Sequence, residues 1–202
     1  KEGKLNYDDY VVKYIPDFPY PNITLRHLLH HTSGVPNFWT DIRLNLDTTK
    51  SNGNKELLAY LIKHKLPLRF KSGEKWEYAD IGYDLLANVI ENVSGLSYQK
   101  FMRKKIFNPA GLKNTEALMV TDIERIKAKN LARGYIRDSL KGNLLAHKVR
   151  NFVFYLGDFY GDGSVISTAR DLKKWDEALR KYIRQDSLHF SEAYKPIIRK
   201  DG

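Results

Sequence analysis

Tyr78 and Asp80 stand two residues apart in "WEYADIGYDLLANVIENVSG", where an aromatic-rich loop runs into a helical pattern closed by Gly95. A phenol and a carboxylate at the mouth of a helix admit two readings. Asp80 can cap the helix that starts near Ile81, its oxygens accepting the free N–H groups of the first turn. Tyr78 is then a tyrosine packed at the helix start, its hydroxyl bonded to backbone. In the other reading both belong to an active site whose remaining members lie elsewhere.

Other residues have the types of a nucleophile or a ligand. Ser72 and Lys75, and Ser97 and Lys100, each form a Ser-x-x-Lys. So short a pattern arises by chance in a lysine-rich chain, and Ser97 reads as a helix cap. "KSG" at Lys71–Gly73 imitates another catalytic triplet out of context. Ser33 lies in "HTSG" without the Gly-x-Ser-x-Gly elbow of a nucleophile. His27, His30 and His31 fall at spacings that could gather a metal, but no His-Glu-x-x-His pattern accompanies them. Gly161, Gly163 and Ser164 make one short glycine turn, weak evidence for a phosphate site. No cofactor and no metal is expected.

The elements that must position these residues are mostly helical. "ITLRHLLHHTSG" predicts a short helix with Leu25, Leu28 and Leu29 on one face and Gly34 as its stop. "KELLAYLIKHK" repeats Leu57, Leu58, Leu61 and Ile62 at helical spacing. Leu85, Leu86, Val89, Ile90 and Val93 form a longer apolar stripe over some four turns. Ser97 opens "YQKFMRKKIF", and Thr121–Glu124 reads as a capping box. "STARDLKKWDEALRKYI" predicts a long amphipathic helix capped by Ser167 or Thr168, and "SEAYKPII" a last helical turn. "YDDYVVKYI" is a short amphipathic segment before a proline-punctuated turn, and "FWTDIRLNLDTTKSNGN" reads as a polar loop. Strand is expected only within "LAHKVRNFVFYLGDFY".

The totals narrow the function classes. The chain has 202 residues, 42% hydrophobic and 29% charged, values of a globular protein rather than a disordered one. No apolar run is long enough to span a bilayer. With no cysteine, disulfides, thiolate metal sites and a cysteine nucleophile are excluded. The net charge of +10 raises the question of an anionic partner. The basic residues alternate with apolar ones at helical spacing, as on the outer faces of packed helices, so a nucleic-acid partner is not expected. The chain does not begin with Met and shows no signal-peptide core, so it is expected to be a fragment, 1–202 forming a single helical region.

Four blocks in order resemble the serine β-lactamase and penicillin-binding-protein superfamily, in particular its class-C-like branch with esterases and D-amino-acid peptidases. They are "EGKLNYDDYVVKYIPDFP", "ITLRHLLHHTSGVPNF", the span "FKSGEKWEYADIGYDLLANVIENVSGLSYQKFMRKKIFNPAGLKNT", and "GDGSVISTARDLKKW". The resemblance implies a mainly α chain, the helical half of the β-lactamase/transpeptidase-like α+β fold with most of the antiparallel sheet missing. The family's Ser-x-x-Lys, expected upstream, and its Lys-Thr-Gly or His-x-Gly, expected downstream, are not in place here, and the chain alone is expected to be inactive. Tyr78 takes the place of the tyrosine in Tyr-x-Asn, which serves as base toward the serine of an acyl-enzyme mechanism. Asp80 departs from that motif. An ionised Asp only accepts hydrogen bonds, whereas Asn also donates, which counts against penicillin-type substrates. The implied substrates are small esters, amides or peptides, cell-wall fragments among them, and the implied location is periplasmic or extracellular. A non-catalytic binding protein of the same fold and a basic nucleic-acid-binding helical module are the alternatives.

Overall fold

Thr24 opens the first helix, α1 (Leu25–Leu29), with a reciprocal cap. Its hydroxyl accepts the His27 N–H at 3.2 Å, and the His27 ring nitrogen Nδ1 accepts the Thr24 N–H at 3.3 Å. A histidine thus does the work usually given to Glu or Gln in a capping box. The computed structural model describes residues 3–47, 49–119, 132, 135–137, 144–146, 158–186 and 192–196.

Leu25 and Leu28 are buried, but α1 ends five residues before Gly34. Gly34 has another task. It has φ +72°, and a Cβ there would come within 2.1 Å of the Phe70 carbonyl oxygen. The Arg69 N–H donates to the Gly34 carbonyl at 2.8 Å, so glycine permits two stretches of backbone to pass closely.

Helix α2 (Asn54–His64) buries Leu57 and Leu61 and ends at Lys65 in the left-handed region. Helix α3 (Ile81–Ser94) has the four-turn length that its stripe predicts and ends at Gly95, φ +68°. One flank of α3, with Ile81, Leu85 and Val89, packs with Leu28, Leu57, Leu61 and the N-terminal Val11 and Ile15 in the larger core. The other flank, through Ala87, meets Tyr98, Phe107, Leu112, Ala117 and Tyr160 in a second core. Burying each such side chain contributes roughly 1.5–3 kcal/mol, so this two-sided helix is the axis of the structure. Gly82 lets α1 approach it, since a Cβ there would sit 3.1 Å from the Leu28 carbonyl oxygen.

Ser97 caps α4 (Tyr98–Phe101) as expected. The segment does not continue as one α-helix, however, but widens into a π-helical turn, Met102–Phe107. The segment after Gly34 also departs from expectation. Instead of a polar loop it forms a π-helical turn (Phe38–Ile42) and a 3-10 turn (Arg43–Asn45). Phe38, Ile42 and Leu46, four residues apart, all face the core, a stripe hidden among polar neighbours.

Among the described residues the sheet content is small. Strand β1 (Glu116–Ala117) pairs antiparallel with β4 (Val165–Ile166), Glu116 opposite Ile166. Strand β2 (Tyr135–Arg137) pairs antiparallel with β3 (Leu144–Ala146). β3 touches the start of the stretch expected to hold strand; its continuation to residue 157, and the capping box at Thr121–Glu124, lie outside the described residues. Thr168 caps α5 (Ala169–Gln185), its hydroxyl accepting the Asp171 N–H at 3.2 Å. Residues 192–194 form a last helical turn. Asp171 is fully buried and accepts from the Asn114 N–H (2.6 Å), the Thr115 hydroxyl (3.1 Å) and Lys174 (3.2 Å), which ties α5 to the β1 end. Among the described residues no helix is long and apolar enough to cross a membrane.

Candidate active site

The loop before α3 is fastened to the turn after α1. The Gly73 N–H donates to the Thr32 carbonyl (2.8 Å) and the Glu77 N–H to the His31 carbonyl (3.0 Å). The Ala79 N–H donates to His31 Nδ1 (3.3 Å). Accepting there keeps the imidazole neutral, in line with a pKa that burial pushes down. His31 itself has φ +56°, a backbone conformation that a non-glycine residue adopts only when its surroundings hold it there.

Ala79 and Ile81 are buried, and Tyr78 stands exposed just before the helix. The Tyr78 side chain is 56% exposed. Its ring leans on His31, centroids 4.7 Å apart, and His31 also meets Tyr83 at 5.3 Å and Trp76 at 6.1 Å. The Asp80 carboxylate is close enough to act on the Tyr78 phenol. At that exposure the packed-tyrosine reading is not what the structure holds.

The capping reading of Asp80 is corrected as well. Its own backbone is already helical, φ −57° and ψ −42°, and its carboxylate makes no cap hydrogen bond. A capping carboxylate needs an extended backbone to reach back to the N–H groups of the first turn. Instead Asp80 Oδ2 accepts the indole N–H of Trp39 at 3.0 Å. Asp80 thus links the Phe38–Ile42 turn to the Tyr78 loop. The Tyr78 phenol is pushed above its ordinary pKa, first by its hydrogen bond to Asp80, then by the Asp80 charge. Alone, this carboxylate works against a phenolate; nearby positive charge would be needed to offset it.

One turn further along α3, Asp84 is buried at 2% exposure. Its pKa is pushed up to about 9, chiefly by burial, then by the charge and hydrogen bond of Asp162. Asp162, although it keeps exposed surface, is raised too, by desolvation first and the Asp80 charge second. Asp84 therefore stays protonated at neutral pH. Asn54, the first residue of α2, brings the two aspartates together. Its Nδ2 donates to the carbonyls of Asp84 (2.9 Å) and Tyr160 (2.8 Å), and its Oδ1 accepts the Tyr160 N–H (3.0 Å). Gly161, φ +115°, passes so near α3 that a Cβ would lie 2.4 Å from the Tyr83 carbonyl oxygen.

Residues 1–193 match the β-lactamase family. The chain belongs to that family. Among its relatives is penicillin-binding protein 4* of Bacillus subtilis, 35% identical over 206 residues, an alignment covering 100% of this chain and 45% of the relative. An octameric penicillin-binding protein homologue from Pyrococcus abyssi superposes with a TM-score of 0.68 at 30% identity, over 92% of this chain and 41% of the homologue. D-amino acid amidase from Ochrobactrum anthropi, solved with L-phenylalanine amide, superposes with a TM-score of 0.69 at 26% identity, over 90% and 50%. The chain spans less than half the length of the curated relatives it matches.

Within this β-lactamase-family chain the decoys fall into structural places. The Ser72 hydroxyl donates to the Ser33 carbonyl at 2.9 Å, Ser33 is buried in the turn, and Ser97 caps α4. His27 caps α1, and no cluster of metal-ligating side chains occurs among the described residues. Asn54, Asp84, Asp162 and Trp39 were not singled out from sequence. Asp84 alone left a trace, four residues after Asp80 and so on the same helical face.

Proposed function

We propose that this chain supplies the tyrosine base and one cleft wall of a serine acyl hydrolase that works through an acyl-enzyme. The reading is carried by Tyr78, which the resemblance sets in the Tyr-x-Asn place and which stands 56% exposed just before α3 in a β-lactamase-family chain. The serine hydroxyl is a poor nucleophile and needs a base beside it. Tyr78 fills that role once the lysine of a Ser-x-x-Lys stands near enough to offset Asp80. The chain forms the helical part of the α+β fold, is inactive by itself, and belongs to a protein acting outside the cytoplasm on small amides, esters or peptides. Relatives named as penicillin-binding proteins and a D-amino acid amidase support that substrate range.

One observation favours a second reading. Asp80 raises the Tyr78 pKa, which suits a tyrosine kept for hydrogen bonding in a non-catalytic binding protein. Intact-mass detection of an acyl adduct after mixing the complete protein with p-nitrophenyl acetate separates the two. An adduct on a serine, formed at least 100-fold more slowly in Tyr78→Phe, is expected of the hydrolase. No adduct means binding only.

A further inference from the structure

Trp39 stands against Asp80, and two further exposed aromatic side chains, Tyr78 and Trp76, gather on His31. Trp39 is 45% exposed and donates its indole N–H to the carboxylate. Tyr78, two residues before Asp80, is 56% exposed and leans its ring on His31 with centroids 4.7 Å apart. Trp76, 50% exposed, joins through His31, which contacts both Trp76 and Tyr78. Exposed aromatic surface gathered at one place costs solvation and marks a contact site for a ligand. The Trp39 ring already carries a cation on its face, the Arg43 guanidinium 5.4 Å from the centroid. Behind Asp80, one carboxyl oxygen of Asp84 is buried and has no hydrogen-bond partner. Asp162 adds its charge at the same place, acting on both Tyr78 and Asp84. In a chain of net charge +10 this mouth is locally acidic and aromatic.

We propose that Asp80 is a specificity residue, and that the Asp80–Trp39–Tyr78 mouth selects substrates with a free primary ammonium on an apolar or aromatic body. This rests on the acyl-hydrolase reading for its catalytic consequence but not for binding. An ammonium offers up to three donors, which match a carboxylate with lone pairs to spare, and it gains from aromatic faces. An amide side chain at position 80 carries no charge and offers one acceptor oxygen, so it holds the same cation less tightly. The substitution of Asp for Asn in the motif thus exchanges recognition of a neutral amide for recognition of a positive charge.

The test uses the complete protein and two probes of one shape, 2-phenylethylamine and 2-phenylethanol, titrated calorimetrically at low salt. The amine is expected to bind at least about tenfold more tightly, and Asp80→Asn to bring the two within about twofold. Trp39→Ala is expected to weaken both probes. Equal affinities in the wild type, a preference that survives Asp80→Asn, or no binding of either probe overturns the proposal. Turnover supplies a second arm. Between D-phenylalanine p-nitroanilide and its N-acetyl derivative, Asp80→Asn should lower kcat/KM for the free amine alone, through KM. An equal loss on both would place Asp80 in service of the shared machinery and overturn the specificity claim. Absence of any turnover in the wild type sinks the hydrolase reading while leaving the binding result to stand by itself.

Discussion

Replacing Asn54 by alanine tests how the site is assembled. Asn54 is 1% exposed and makes three hydrogen bonds, two donated to the carbonyls of Asp84 and Tyr160 and one accepted from the Tyr160 N–H. Alanine leaves the Tyr160 N–H and carbonyl without partners in a buried place, while the Asp84 carbonyl keeps its bond within α3. Each orphaned group costs about 1–3 kcal/mol, so the two together cost on the order of 2–6 kcal/mol, near the lower end if a water enters the space. Urea unfolding followed by circular dichroism at 222 nm reads the loss, with an unchanged m-value showing that two-state unfolding persists. Asn92→Ala is the control. Its amide makes a single exposed bond to the Tyr14 carbonyl at 3.0 Å, and its loss should cost no more than about 1 kcal/mol. An Asn54→Ala loss as small as the control's would refute the view that this one side chain stitches α2, α3 and the Tyr160 segment together.

Three further outcomes are expected. The Asp84 pKa is raised on folding from 3.8 to about 9, so its contribution to stability is fully present below pH 3.8 and is lost as pH rises toward 9. Between pH 5 and 8 the wild type should lose up to about 1.4 kcal/mol per pH unit through this group, and Asp84→Asn should flatten that slope in urea midpoints. A slope unchanged by the substitution contradicts the buried-carboxyl account. Gly161→Ala forces a side chain into φ +115° against the Tyr83 carbonyl, and thermal melts should show a loss on the order of 2 kcal/mol or more; a neutral result would mean that the close passage is not there. Asp80→Asn should lower the Tyr78 pKa, seen as phenolate absorbance at 295 nm appearing at lower pH, with Tyr78→Phe identifying the signal. A shift upward would show that Asp80 does not oppose ionisation.

Periodic patterning carried most of the helical frame. The stripe from Leu85 to Val93 and the stop at Gly95 were legible because a two-sided buried helix repeats apolar residues at every turn. The Phe38–Ile42–Leu46 stripe was not, because polar residues outnumber the three that face inward. Gly34 was legible as special but not for the right reason; its role depends on Phe70, distant in sequence. Tyr78 stands out in sequence through its resemblance to the family's Tyr-x-Asn, and the structure exposes it beside α3. Asp80 looked like a cap because its position at the helix mouth is a cap position, and only the backbone angles and the Trp39 indole show that its carboxylate turns the other way. Asn54, Asp84 and Asp162 come together through contacts across α2, α3 and the glycine turn, and no local pattern announces such a meeting.

The most direct test of Tyr78 as base is the single-turnover acylation rate of the complete protein with p-nitrophenyl acetate, measured by stopped flow for wild type and Tyr78→Phe. General-base catalysis is worth roughly 10²–10⁴-fold, so the account predicts a fall of at least about 100-fold at unchanged stability. A Tyr78→Phe rate within about threefold of wild type would contradict it and return Tyr78 to a binding role.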